Sequence, residues 1–231
     1  MKAMILAAGL GQRMRPLTDH TPKPLLTAGG KPLIEYHLEA LAAANVKEVV
    51  INLAYLGDKI RTHIDDGTRW NLRISYSQET EPLETGGGIL KAMPLLGDEP
   101  FLLINGDVWT DYPIQLLRNH CLQAYQRAHL ILVPNPEFHP TGDFASTETG
   151  LLVADSHLPK HTFAGISLID PRIISQYPNQ RDKFPLGEVL RYNIEQAKVT
   201  GEVYKGRWSD VGTPERLHLL NEQLTMNNTH N

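Results

Sequence analysis

Residues Met1 to Leu25 read MKAMILAAGLGQRMRPLTDHTPKPL. An apolar run from Ala3 to Ala8 breaks at Gly9 and Gly11, and a polar segment carrying Gln12, Arg13, Arg15 and Thr18 leads to Lys23 between Pro22 and Pro24. A buried strand that ends in a glycine turn, with cations just beyond it, is how open α/β sheets build phosphate sites. Glycine lets backbone N–H groups come close to an anion, and Arg and Lys neutralise its charge. The two commonest nucleotide loops are excluded as written. Met14 stands where the dinucleotide fingerprint needs its third glycine, and no Gly-Lys-Ser or Gly-Lys-Thr follows a glycine at the Walker spacing. What remains is a Gly9-x-Gly11 turn served by two separated cations, Arg13 and Lys23.

Outward from this loop the chain alternates strands and helices. Lys2–Ala8 reads as a buried strand, Pro32–Ala44 as a helix with apolar positions at Leu33, Ile34, Leu38 and Leu41, and Glu48–Leu53 as a second buried strand. A helix over Gly57–Ile64, a strand over Leu72–Ser77, a helix from Glu84 to about Leu96 and a strand over Phe101–Asn105 follow, then a helix over Ile114–Arg127 and a strand over His129–Val133. From Pro134 to His161 the sequence is rich in Pro, Thr, Asp and His, and only Gly150–Ala154 is strand-like. Phe163–Ile169 and Lys198–Tyr204 are strands around a helix at Leu186–Gln196. Thr213 caps a last helix, with Pro214 at its first position, that runs to about Leu224. The alternation predicts an α/β fold with a mostly parallel central sheet and helices on both faces. A single domain over 1–224 is expected, with a larger first half over 1–133, a smaller, β-rich second half over 134–224, and a polar tail at 225–231.

The net charge of −4 argues against an extended nucleic-acid surface, and no run approaches the ~20 apolar residues of a membrane span. One cysteine, Cys121, forbids an internal disulfide and suits a reducing cytoplasm. It is expected to pack within a helix.

The pattern Leu6-Ala-Ala-Gly-Leu-Gly-Gln-Arg-Met-Arg-Pro-Leu-Thr18, followed by Pro22-Lys-Pro-Leu25, resembles the signature of the nucleotidyltransferases that make sugar nucleotides from sugar 1-phosphates. Gln12 sits where many members carry Thr, Ser or Glu. The resemblance covers nearly the whole chain and implies a Rossmann-like, GT-A-like fold, a nucleoside triphosphate and a sugar 1-phosphate as substrates, with 1–133 serving mainly the nucleotide and 134–224 mainly the sugar, and Mg²⁺ as cofactor. Larger members add a C-terminal β-helix. A chain that stops one helix after Asp210 resembles a minimal, transferase-only member, expected as a monomer in the cytoplasm.

The reaction so implied is attack of a sugar-phosphate oxygen on the α-phosphorus of the triphosphate, with pyrophosphate leaving. The nucleophile is already an anion, so the site must supply position and positive charge rather than a base. Arg13 would hold the β- and γ-phosphates and Lys23 the α-phosphate. Asp107, in Asn105-Gly106-Asp107 at a strand end, and Asp210, in Trp208-Ser209-Asp210-Val211-Gly212, match the family's metal pair, and Mg²⁺ favours one or two carboxylates with phosphate oxygens and water. Asp111 is the nearest rival and reads as structural. The nucleotide set implied is Leu6, Ala8, Gly9, Gly11, Gln12, Arg13, Lys23, Glu79, Gly87 and Asn105, with glycines 86–88 offering a base edge free of side chains. The same glycines would equally serve a helix start that packs closely.

Pro32–His37, Glu81–Gly88, Asn105–Asp111, Gly142–Phe144 and Thr162–Ser167 resemble most the small members that use UTP and N-acetylmuramic acid 1-phosphate in cell-wall recycling. That resemblance implies Asn105, Asp143, Phe144 and Gly165 on the sugar side. The chain departs from the wider family in lacking a Glu-Lys-Pro phosphate clamp; Lys160, in Leu-Pro-Lys-His, is the nearby lysine. The alternatives are a glucose- or mannose-1-phosphate nucleotidyltransferase using UTP, dTTP or GTP, a non-catalytic nucleotide-binding module, and a dehydrogenase, which Met14 and the Pro-Lys-Pro segment disfavour.

Overall fold

The computed structural model describes residues 1–153 and 157–228. In chain order they form β1 (Lys2–Leu6), the short pair β2 (Thr27–Ala28) and β3 (Lys31–Pro32), α1 (Leu33–Ala43), β4 (Glu48–Leu53), α2 (Gly57–Ile64), β5 (Arg73–Gln78), α3 (Glu84–Leu96), β6 (Phe101–Asn105) and β7 (Val108–Thr110). Then come α4 (Ile114–Asn119), β8 (Ala128–Val133), β9 (Phe144–Ser146), β10 (Leu152–Val153), β11 (Lys160–Ile169), α5 (Arg172–Ser175), α6 (Leu186–Glu195), β12 (Val199–Val203), β13 (Trp208–Asp210) and α7 (Pro214–Asn228).

Nine strands make one sheet. Its parallel half is β6-β1-β4-β5, with Leu6 level with both Asn52 and Asn105. β11 lies antiparallel between β6 and β8, β12 runs parallel to β8, and β9 and β10 extend the other end of β11. Alternation along each buried strand separates two cores. Ala3, Ile5, Val49, Ile51, Leu102 and Ile104 face α1, α2 and α4. Met4, Val50, Phe101 and Leu103 face α3, α5 and α6 on the opposite side. Helices therefore cover both faces, and the unbroken apolar runs Ala3–Leu6, Val49–Ile51 and Phe101–Ile104 of the central strands are what two covered faces require. A third, smaller core joins α7 to the first loop: Leu217 and Leu220 pack with Met14, Leu26, Ala28 and Trp109. Among the described residues no helix is long and apolar enough to cross a membrane.

Several boundaries differ from the sequence expectation. Within 134–161, where only Gly150–Ala154 is expected as strand, Phe144–Ser146 forms β9, and β11 starts at Lys160 rather than Phe163, because Lys160 and His161 pair with Ala145 and Phe144. The helix expected over Ile114–Arg127 ends at Asn119, because His120 turns extended and its ring stacks on His129 at 3.9 Å. A helix to Arg127 would also leave no chain for the turn into β8, whose first residue is Ala128. Cys121, expected inside that helix, lies beyond it and is exposed. The last helix runs on to Asn228 instead of ending near Leu224. Ala154, the end of the expected strand Gly150–Ala154, and residues 229–231 of the expected tail lie outside the described residues.

Candidate active site

The C-terminal ends of β1, β4, β5 and β6 open onto a cavity of about 420 Å³. Ligands of open α/β sheets bind at this edge. A buried relay ties the strand ends together: Asn52 accepts the Ala7 N–H on Oδ1 at 2.8 Å and donates from Nδ2 to Glu79 Oε1 at 2.7 Å, while Glu79 Oε2 accepts the Leu83 N–H at 3.0 Å. Leu6, Ala8, Gly9, Glu79 and Asn105 all line the cavity, as does Lys23. Asn52 was not singled out from sequence, since an Asn inside the apolar run EVVINL gives no sign of which loop it reaches.

Lys23 is brought in by a single 3₁₀ turn, Lys23–Leu25, that starts from extended Pro22. Its Nζ bonds Asp107 Oδ2 at 2.7 Å, and its side chain is 10% exposed against 40% for Asp107. Asp107 reaches this place because Gly106 crosses the end of β1 in backbone contact. The Gly106 N–H bonds the Leu6 carbonyl at 2.9 Å, and a Cβ on Gly106 would stand 2.7 Å from that oxygen. The pair satisfies both charges at the cavity wall.

Asp210 joins Asp107 through the two-stranded ladder of β13 on β7. Asp210 is level with Val108, and the Val211 N–H bonds the Asp107 carbonyl at 2.9 Å. Each carboxylate has one oxygen engaged by a cation, Asp107 Oδ2 by Lys23 and Asp210 Oδ2 by Arg216 at 2.9 Å. The Oδ1 atoms have no hydrogen-bond partner among the described residues. No group of three or more His, Cys, Asp or Glu among the described residues is arranged to hold a metal. Two hard carboxylate donors, Asp107 on the cavity wall and Asp210 on the adjoining strand, are a set that suits Mg²⁺, which keeps water and substrate oxygens for its other positions. Asp111 is engaged elsewhere: it takes hydrogen bonds from Tyr204 and from the Arg207 backbone and guanidinium. Burial works to raise its pKa, but these bonds outweigh it and hold the carboxyl below its ordinary value.

His37 lies beneath this ladder, buried, and burial pushes its pKa down to about 4 against the opposing pull of the Val108 backbone and the Asp107 charge. At neutral pH it is an uncharged packing residue.

Other expected residues stand off the cavity wall. Gly11, at φ 62°, makes the left-handed turn of the loop, and its carbonyl accepts the Thr18 hydroxyl at 2.7 Å. Gln12 and Arg13 occupy the exposed side of the next turn while Met14 points inward, so Arg13 carries no ion pair among the described residues and lines no part of the cavity. Arg15 pairs with Asp19 at the surface. Glycines 86 and 87 serve packing. A Cβ on Gly86 would lie 2.5 Å from the Phe184 ring, and one on Gly87 2.3 Å from the Asp182 carbonyl. Gly88 faces the Asn52–Glu79 pair, where a Cβ would meet both at 2.8 Å.

On the sugar side, Gly165 adopts φ 76° in a bulge of β11 and lies against Asn105, whose Nδ2 would be 2.8 Å from a Cβ there. It thus borders the cavity through Asn105. Asp143 is a strand tie, with Oδ2 accepting the Phe163 N–H at 2.8 Å and Oδ1 bonded to His139 at 3.2 Å. Phe144 is buried in the core beneath α3 and α6 and does not line the cavity.

Lys183 lines the cavity and went unnoticed in the sequence. The segment that carries it docks on the start of α3: the Gly86 and Gly87 N–H groups bond the Phe184 carbonyl, and the Leu186 N–H bonds the Thr85 hydroxyl at 2.7 Å. The only local signal is a lysine shortly before a proline-led helix, which many surface loops share.

Comparison with known proteins bears on the family and the fold. Residues 2–142 match the family model described as nucleotidyl transferase. The chain is 44% identical to N-acetylmuramate alpha-1-phosphate uridylyltransferase of Neisseria meningitidis, over 94% of this chain and 95% of the relative. It is 33% identical to the enzyme of the same name from Caulobacter vibrioides, over 92% of each. A crystal structure from Bacillus anthracis, assigned as a glucose-1-phosphate thymidylyltransferase and holding sucrose, superposes with a TM-score of 0.82 at 20% identity, covering 97% of this chain and 95% of that one. The chain belongs to the nucleotidyl transferase family.

Proposed function

We propose that this enzyme transfers UMP from UTP to N-acetylmuramic acid 1-phosphate, giving UDP-N-acetylmuramic acid and pyrophosphate. The observation that carries the transfer chemistry is the Lys23–Asp107 pair at the cavity, with Asp210 on the adjoining strand. The choice of base and sugar is supported by the 44% relative, which matches over nearly its full length.

In this reading a sugar-phosphate oxygen forms a bond to the α-phosphorus of UTP as the bond to the β-phosphate bridging oxygen breaks and pyrophosphate leaves. Lys23 exchanges Asp107 for the α-phosphate and neutralises the charge that grows there. Asp107 and Asp210 would hold Mg²⁺ through their free Oδ1 atoms, and the ion supplies further positive charge to the phosphates. Arg13, unpaired among the described residues, folds over the β- and γ-phosphates, which its forked donors suit. The base sits against the backbone of Leu6–Gly9 beside Glu79. Asn105, backed by Gly165, faces the sugar. Lys183 supplies the cation for the sugar phosphate, in place of the missing Glu-Lys-Pro clamp and of Lys160, which lies in β11 away from the cavity. The exposed thiol of Cys121 suits a reducing cytoplasm, where we place the reaction.

The test is pyrophosphate release with Mg²⁺ over a grid of four nucleoside triphosphates and several sugar 1-phosphates. Release confined to UTP and the muramate is the expected result. Release with glucose 1-phosphate or mannose 1-phosphate alone keeps the mechanism and replaces the substrate, and silence across the grid refutes catalysis.

A further inference from the structure

Asp210 is held by more than an exposed ion pair. Arg216, in the first turn of α7, donates from Nη1 to Asp210 Oδ2 at 2.9 Å, and its side chain is only 16% exposed. Its guanidinium carbon lies 4.0 Å from the centroid of the Phe138 ring, in the loop between β8 and β9. Gly212 leaves the space that the guanidinium fills. A Cβ there would stand 2.2 Å from Nη2 and 3.1 Å from Asp210 Oδ1, and Gly212 has no positive φ, so it is the missing side chain that matters at this position. The Arg216 N–H meets the Thr213 hydroxyl at 3.4 Å, which fixes where the helix begins.

Lys23 and its partner Asp107 both line the cavity; Asp210 and Arg216 stand beside it, on the strand that pairs with β7 and the helix that follows. The two cations therefore do different work. Lys23 is placed to leave its carboxylate for a phosphate, whereas Arg216 grips its carboxylate from outside the cavity. We propose that Arg216 is a positioning residue: it fixes Asp210 by one oxygen so that the other is presented to a divalent cation, with Phe138 stacked on the guanidinium and Gly212 giving it room. A carboxylate held in one rotamer binds without first losing the freedom of the others. Phe138 comes from the loop between β8 and β9, so the brace also ties that loop to the metal carboxylate. The inference rests on Asp210 being a metal ligand.

Mn²⁺ binding to the full chain, read from loss of the free-ion EPR signal, tests both levels, with a melting curve for every variant. Asp210→Asn should lose binding. Arg216→Gln should weaken it by roughly 10–100-fold, the usual effect of removing a ligand's supporting partner. Arg216→Lys should recover part of the affinity, Phe138→Ala should weaken it by less than Arg216→Gln with its melting temperature unchanged, and Arg216→Gln added to Asp210→Asn should change nothing further. Wild-type affinity in Arg216→Gln and Phe138→Ala, with binding lost in Asp210→Asn, overturns the brace and leaves the ligand assignment standing. Unchanged affinity in Asp210→Asn, or no binding by the wild-type chain, removes the ligand assignment and the brace with it. If Arg216→Gln does not fold, Phe138→Ala decides alone, since its ring is 52% exposed, and wild-type affinity there sinks the proposal.

Discussion

Replacing His129 by Gln should make the protein markedly less sensitive to acid. His129 is buried in β8, with Nδ1 2.9 Å from the Thr200 hydroxyl, and burial together with the neighbouring His120 pushes its pKa down to about 4. His37 is held down to about 4 by burial as well. In the unfolded chain each imidazole titrates near 6.5, about the ordinary value. Folded-state pKa values below the unfolded ones mean that the unfolded chain binds more protons between those limits. Stability is thus fully present above about pH 6.5 and falls as the pH drops toward 4. At pH 5 the unfolded imidazole is almost all charged and the folded one almost all neutral, which linkage converts to a loss of about 2 kcal/mol per site relative to pH 7. The two sites together remove roughly 4 kcal/mol, a large share of a typical 5–15 kcal/mol. Urea unfolding at pH 7 and pH 5, with chelator present, measures this directly. Wild type should lose about 2 kcal/mol more than His129→Gln between the two conditions. Carboxylates contribute equally to both proteins and cancel. Equal losses would show that His129 is not buried neutral, and the linkage argument would fail.

Asp107→Asn should abolish pyrophosphate release while leaving the circular dichroism spectrum intact; turnover near wild type removes Asp107 from the metal pair. Lys23→Ala should lower kcat by roughly 10²–10³-fold, the scale of a lost transition-state charge partner, and an unchanged kcat means that the phosphate loop has been misread. Gly86→Ala sets a methyl 2.5 Å from the Phe184 ring and 2.8 Å from its carbonyl. It should cost about 1–3 kcal/mol in denaturant unfolding, as overpacking does, and a neutral effect would show that the 182–186 segment yields easily.

How far the fold could be read from sequence depends on the kind of signal. β1, β4 and β6 carry apolar runs of three or four residues because both faces of the sheet are covered, and such runs announce themselves. α2 and α3 run over the residues at which the sequence reading sets them, Gly57–Ile64 and Glu84–Leu96. The end of α4 was not legible, because it depends on His120 meeting His129, a contact that only the assembled sheet creates. At the site, the cations and aspartates are visible as residue types in a fixed pattern, and the sheet brings Lys23, Asp107 and Asp210 together. Orientation is a different matter. Nothing local says that Met14 rather than Arg13 turns inward, or that Phe144 faces the core from β9. Gly86 and Gly87 suit a base edge and a close helix contact equally well, and the deciding partner, Phe184, lies far along the chain. Lys183 and Asn52 become meaningful only through what tertiary packing sets beside them.

The third core has a consequence for the order in which the protein matures. Met14 belongs to the first loop, which leads from the cavity to Lys23, yet its packing partners include Leu217 and Leu220 of α7. The Gly29 N–H is satisfied by Asn221, 192 positions downstream. Chains fold from the N-terminus as they emerge from the ribosome, so the sheet can form while this loop still lacks its support. The loop is translated first and braced last. A nascent chain arrested before Pro214 would hold every residue of that loop without the clamp that gives it shape.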